Sequence, residues 1–446
     1  MTPTETALYL RTLPAIRERC TRVLDLATQN KLQYFEYHPE NEHAVTDFCV
    51  QIIHKTYGTD YTSIPPHGRW RHSDAGDPRI APLLAAWAAS PAPPAPAEVA
   101  ARLVDHFTVS VLLDAGAGSA WVYTEPETGE NYSRSEGLGV AAVHMFARGL
   151  FSSIPDQPYR VDATALARLT PAALAEAFQV SETNPIVGLD GRAGLLVRLA
   201  DALKGAPEFF GMEARPGGIV EYLKSKSTVS ANGVTEVPLA ALWHALITGL
   251  QPIWPGGRGE LAGVPLGDVW VCPALGQDAA RADEPGATLV PFHKLTGWLA
   301  YSLREPLEKI LGWKFVEQAG GGQTGLPEYR NGGLFLDLDV LRLRSTPLAL
   351  TGANGEAIAA EELGRDEKTG LPRVAPGHPA IVEWRAMTVV LLDRTLLALR
   401  TALPAPELTL AQALESATWA GGRAIAAKLR EGGGPPIEIV SDGTVF

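Results

Sequence analysis

The chain has 446 residues, 46% hydrophobic and 20% charged, a composition that excludes a disordered chain and allows a large buried core. Its net charge of −12, with no Lys/Arg run, argues against a long nucleic-acid partner, which needs a basic face, but leaves room for a small anion held by a few local cations. No apolar run reaches the roughly 18 residues of a membrane span, Met1 to Glu5 has no basic lead into an apolar stretch, and Cys20, Cys49 and Cys272 share no C-x-x-C spacing, so the chain is expected to be cytoplasmic, off the membrane, with reduced thiols.

In chain order, Leu13, Ile16, Cys20, Val23, Leu24 and Leu26 recur near the helical period, with Thr12 as N-cap and Pro14 in the first turn. Residues 33–80 are rich in aromatics and histidines. Pro91 to Pro96 reads as a stiff Pro-rich linker. The expected organisation is therefore an N-terminal region over 1–90, the linker over 91–97 and a helical body over 98–446, or one folding unit that includes 1–90. Helices are predicted over Arg192 to Leu203, His293 to Leu311 with Gly312 as stop, Ala380 to Leu403, and Thr409 to Arg430, the last opened by a Thr409/Gln412 capping box and ended by Gly432. Val109 to Leu113 and Leu334 to Leu341 fit strand or helix. The predicted class is mainly α.

Several segments use residues in ways that a helix core does not require. Val111 to Trp121 places Asp114 after an apolar run, then small residues, then Trp121. Small residues admit a ligand or another backbone; the bland alternative is a tight turn with Asp114 as a cap. Gly325 to Phe335 sets Glu328, Tyr329, Arg330 and Asn331 beside paired glycines, which suits substrate orientation or a solvated surface turn. Ile64 to His72 packs His67, Arg69, Trp70, Arg71 and His72 together, able to bind an anion and stack on a planar ligand or to staple an irregular loop. Lys294, in a helical first turn, is mildly wrong for the helix dipole and invites an anionic partner; otherwise it is simply exposed. Ser441 to Phe446 is a docked or frayed terminus. No familiar metal-ligand, P-loop, nucleophile-elbow or dinucleotide motif occurs, so no metal and no cofactor are expected.

The strings R-W-R-H (69–72), S-V-L-L-D-A-G-A-G (110–118), R-S-E-G-L (134–138), P-I-W-P (252–255), L-G-D-V-W (266–270), V-P-F-H-K-L (290–295), L-P-E-Y-R-N-G-G-L-F (326–335) and S-D-G-T-V-F (441–446) resemble the fungal and bacterial uracil-catabolism protein 4 family almost end to end. That resemblance implies a role in using uracil as a nitrogen source. The order of Asp114 to Trp121, Leu169 to Phe178, Phe292 to Lys294 and Glu328 to Arg330 is similar to the queuosine-salvage nucleotide glycosidases. It implies a helical, DNA-glycosylase-like core with an N-terminal elaboration. Those enzymes carry Asp where this chain has Glu328, and an Asn and aromatics where it has Gly116, Ala117 and Gly118, a change that suits a smaller leaving group. The likeness implies an N-glycosidase-type hydrolase acting on a small phosphorylated ribosyl substrate. Glu328, with Asp114 second, would be the catalytic carboxylate. Arg330 and Lys294 would hold a phosphate, Tyr329 would meet the sugar, and Asn331, Trp121, His67, Arg69, Arg71 and His72 would complete the binding set. A metal-dependent C–N hydrolase and a non-catalytic scaffold are the rival readings.

Overall fold

The computed structural model describes residues 1–114, 116–118, 120–254, 259–317 and 321–440. Helix dominates them, as the periodicity predicts, and the strands run only two to four residues each. Among the described residues no sheet exceeds three strands, and no helix is long and apolar enough to cross a membrane. The 441–446 tail, Ala115 and Pro255 lie outside the described residues.

Local signals produce helices where the pattern puts them. Thr12 caps the Leu13–Thr28 helix, accepting from the Ala15 N–H at 3.4 Å. The predicted segments become Leu189–Gly205, Lys294–Leu311 and Pro379–Ala402. Thr409 and Gln412 form the expected capping box. The two ambiguous stretches divide. Val109 to Leu112 is the end of the Pro96–Leu112 helix. Leu334 to Leu341 holds the end of the Tyr329–Asp337 helix and the start of the Leu341–Leu343 strand. The segment expected as one helix from Thr409 to Arg430 is interrupted: a π-helical turn, Leu414–Thr418, joins Leu410–Ala413 to Trp419–Leu429. Such a turn re-aims every side chain that follows it.

The chain forms two compact units. One contains residues 1–67, 259–297 and 322–440; the other contains 68–254, 298–317 and 321. The first is built around the Pro379–Ala402 helix, buried without a break from Pro379 to Leu392. A helix apolar on nearly all sides belongs at a centre. Leu13–Thr28, Glu42–Tyr57 and Tyr329–Asp337 pack around it, and each fully buried Leu or Val contributes about 1.5–3 kcal/mol. The Phe35–Tyr37 strand pairs antiparallel with Leu341–Leu343. Tyr329–Asp337 also lies against Trp419–Leu429, so closely that a Cβ on Gly422 would sit 2.1 Å from the Arg330 carbonyl oxygen.

In the second unit the Pro96–Leu112 helix, buried throughout from Leu103, packs on Arg134–Ala147 and on the short Arg69–Ser73 helix. Gly139 makes room there: a Cβ would meet the His72 carbonyl oxygen at 2.6 Å. Residues 91–97 fall within this unit, and Pro96 opens the helix.

Candidate functional site

Glu328 is the N-cap of Tyr329–Asp337. Its Oε2 accepts the Arg330 N–H at 2.8 Å and its Oε1 accepts the Asn331 N–H at 2.6 Å. Each oxygen keeps a further lone pair, so the carboxylate is held in place but not used up. The chain turns into the helix here because Pro327 cannot continue a ladder and Glu328 satisfies two donors that a helix start leaves open. Arg330 is buried, its guanidinium 4.8 Å from the Trp419 ring centre and 5.6 Å from that of Tyr329. Arg423 approaches the same indole at 5.8 Å, and the His67 ring at 5.7 Å. The π-helical turn supplies two further partners. Glu415 Oε2 is 2.5 Å from His67 Nδ1, and Thr418 donates to Asn331 Oδ1 at 2.9 Å. Asn331 also donates to the Leu326 carbonyl at 3.1 Å and is fully buried. Its amide thus braces the turn that carries Glu328. A fixed carboxylate, a buried guanidinium and an indole approached by the Arg330 and Arg423 guanidinium groups can hold an anion and face a developing positive charge.

Lys294 belongs to the same unit. The anionic partner of its helix is Asp268, whose Oδ2 accepts the Lys294 backbone N–H at 2.9 Å. Asp268 is fully buried and bidentate to Arg385, at 2.9 and 2.8 Å, with Trp270 Nε1 donating at 2.6 Å. Burial alone would raise its pKa; the Arg385 charge and these hydrogen bonds outweigh that and hold it well below the usual carboxylate range. Arg385 stacks on Phe292 at 4.1 Å. Sequence reasoning passed over this pair. Asp268 stood inside L-G-D-V-W, but its partner lies 117 residues away.

The second unit takes the remaining predicted residues. His67 ends the first unit, and Arg69 to His72 lie in the second. Arg69 is fully buried. Its Nη1 meets Asp114 Oδ2 at 3.0 Å and the Ser135 carbonyl at 3.2 Å, its Nε donates to Ser110 Oγ at 2.9 Å, and its backbone N–H to Ser302 Oγ at 3.1 Å. Burial pushes the Arg69 pKa down, with Asp114 opposing. Asp114 also accepts from Trp298 Nε1 at 3.2 Å. It follows a helix rather than opening one and caps none. Arg192 staples the chain on either side of it, donating to the Leu113 and Gly116 carbonyls at 3.0 Å each; burial lowers its pKa to about 10, with Asp114 again opposing. Arg71 turns to Glu305, at 2.5 Å, and His72 stands edge-on to Trp298 at 5.6 Å. Trp121 is fully buried, donates to the Phe178 carbonyl at 2.9 Å, and is a core residue by position.

Glu125, Glu127 and His144 bring metal-capable atoms within 4.8 Å of one another. A cation of the chain already stands there: Arg79 is bidentate to Glu125 at 2.6 and 2.9 Å. That bond, more than the remaining contacts, drives the Glu125 pKa down to about 2.

A family model described as "Protein of unknown function (DUF1688)" matches residues 9–446. The chain is 42% identical to a protein of Lachancea kluyveri named "Uracil catabolism protein 4", with 100% of both chains covered. It is 41% identical to "Protein urg3" of Schizosaccharomyces pombe, covering 99% of this chain and 100% of that one. By this full-length similarity the chain belongs to the uracil catabolism protein 4 family.

Proposed function

We propose that the chain is an enzyme of uracil or pyrimidine catabolism: an N-glycosyl hydrolase that releases urea from ribosylurea 5-phosphate or a similar ribonucleotide. The printed name of the Lachancea kluyveri relative supports the pathway. The observation that carries the chemistry is the first unit's arrangement of Glu328, fixed by two backbone donors, next to the Arg330 and Trp419 pair.

In this reading the C1′–N bond breaks heterolytically, its electron pair leaves with nitrogen, and the ribosyl carbon becomes positive. Glu328 stabilises that charge and directs water to C1′. One water proton goes to the departing nitrogen, so the products are urea and ribose 5-phosphate. Arg330 and Lys294 supply charge for the phosphate, and Tyr329 packs on the sugar. A helical, DNA-glycosylase-like core is part of the same proposal. The test is to incubate pure protein with ribosylurea 5-phosphate and assay free urea. Substrate left unchanged would remove the reading.

A further inference from the structure

In the second unit, the hydrogen bonds of Arg69 and Asp114 leave a remainder. A guanidinium has five N–H donors and a carboxylate two oxygens. Arg69 spends Nε and Nη1 on Ser110, Ser135 and Asp114. Its Nη2 is buried and has no partner. Asp114 spends Oδ2 on Arg69 and Trp298. Its Oδ1 is likewise buried without a partner, on a side chain only 10% exposed. Leaving charged-group atoms unbonded inside a protein is costly. Here the two N–H of Arg69 Nη2 and one acceptor oxygen of Asp114 are left on two groups that already touch. Beyond Asp114 the chain has no side chain at Gly116, where a Cβ would meet nothing within 4 Å.

We infer that Arg69 and Asp114 are a recognition pair for a neutral planar amide or ureido group, its carbonyl oxygen taken by Arg69 Nη2 and its N–H by Asp114 Oδ1. A carboxylate would satisfy Arg69 but meet the negative charge of Asp114. An ammonium would satisfy Asp114 but meet Arg69. Only a group with acceptor and donor side by side, and no net charge, suits both. The inference rests on the second unit alone and stands whether or not the chain cleaves a ribosyl bond.

The test uses the full ¹⁵N-labelled chain. The Trp298 indole N–H, which donates to Asp114, is the reporter, assigned by its loss in Trp298→Phe. Titration with N-methylurea or acetamide shifts this resonance saturably, while acetate and methylammonium at equal concentration leave it in place. No shift with either amide, or an equal shift with acetate, overturns the inference and leaves a buried ion pair completed by water. Asp114→Asn turns its one oxygen toward Arg69 and Trp298 and presents an NH₂ where the ligand N–H must bind. It weakens N-methylurea on the order of tenfold or more, and unchanged affinity in a folded variant also overturns the inference. Should Asp114→Asn not fold, the four-probe series on the unaltered chain decides.

Discussion

At Glu328 the N–H groups of Arg330 and Asn331 fix the carboxylate before any ligand arrives. Such a group meets developing positive charge without reorienting. Glu328→Gln keeps the shape and loses the charge. It is expected to lower kcat on the order of 10²-fold and, as a weakened cap, to cost about 1 kcal/mol of stability. Steady-state kinetics on folded protein separate the two effects. A lower Tm with unchanged kcat would reduce Glu328 to a cap. Arg330→Ala differs, because a phosphate anchor also acts in the ground state: KM rises more than kcat falls. The motif that carries Glu328 was legible in the sequence, but its local role was not. For Asp114 the sequence leaves a catalytic carboxylate and a turn cap as alternatives, and the structure answers only the second. Carboxylates cap helix beginnings, where N–H groups point outward, and Asp114 follows a helix end. Its partners, Arg69 and Trp298, are set by tertiary packing that no local pattern encodes.

Among the elements, the π-helical turn Leu414–Thr418 does most to assemble the first unit's site. It supplies Glu415 to His67 and Thr418 to Asn331, and it precedes Trp419. A regular helical period cannot reveal it, since the extra residue is specified by neighbours and not by composition. Close contact between Tyr329–Asp337 and Trp419–Leu429 depends on Gly422. Gly422→Ala forces a methyl to within 2.1 Å of the Arg330 carbonyl, so the helices must part, at about 1–3 kcal/mol. Thermal unfolding should show a clear fall in Tm; an unchanged Tm would contradict the packing described. The central helix holds a second testable group. Glu383 accepts the Gln33 and Tyr34 N–H groups at 2.8 and 2.9 Å, yet burial pushes its pKa from the ordinary 4.5 up to about 7. The folded protein therefore keeps a proton that the unfolded chain loses. This group's contribution to stability is present in full below pH 4.5 and is lost as pH rises through about 7. Glu383→Gln should flatten that part of the stability profile in denaturant titrations, and should cost about 1–3 kcal/mol where an amide NH₂ faces a backbone donor. A profile with the same slope as the unaltered chain would contradict the assignment.

On the scale of the whole molecule, the helical class was readable because caps and periodicity are local and many. The interleaving of the two units was not. Chain order carries no mark of it, since each unit is closed by contacts between segments hundreds of residues apart, as in the Gln33 bond to Glu383 across 350 positions. Full-length similarity to two proteins over 40% identical assigns the family, and the first unit supplies a fixed carboxylate and a guanidinium stacked on an indole. The proposed activity is hydrolysis of a phosphorylated ribosyl–nitrogen bond. The most direct measurement follows urea and ribose 5-phosphate together during turnover of ribosylurea 5-phosphate, with unphosphorylated ribosylurea run in parallel. The two products are expected in equal amounts, with a much lower kcat/KM without the phosphate. Intact substrate after prolonged incubation with folded protein, or urea formed without ribose 5-phosphate, would contradict it.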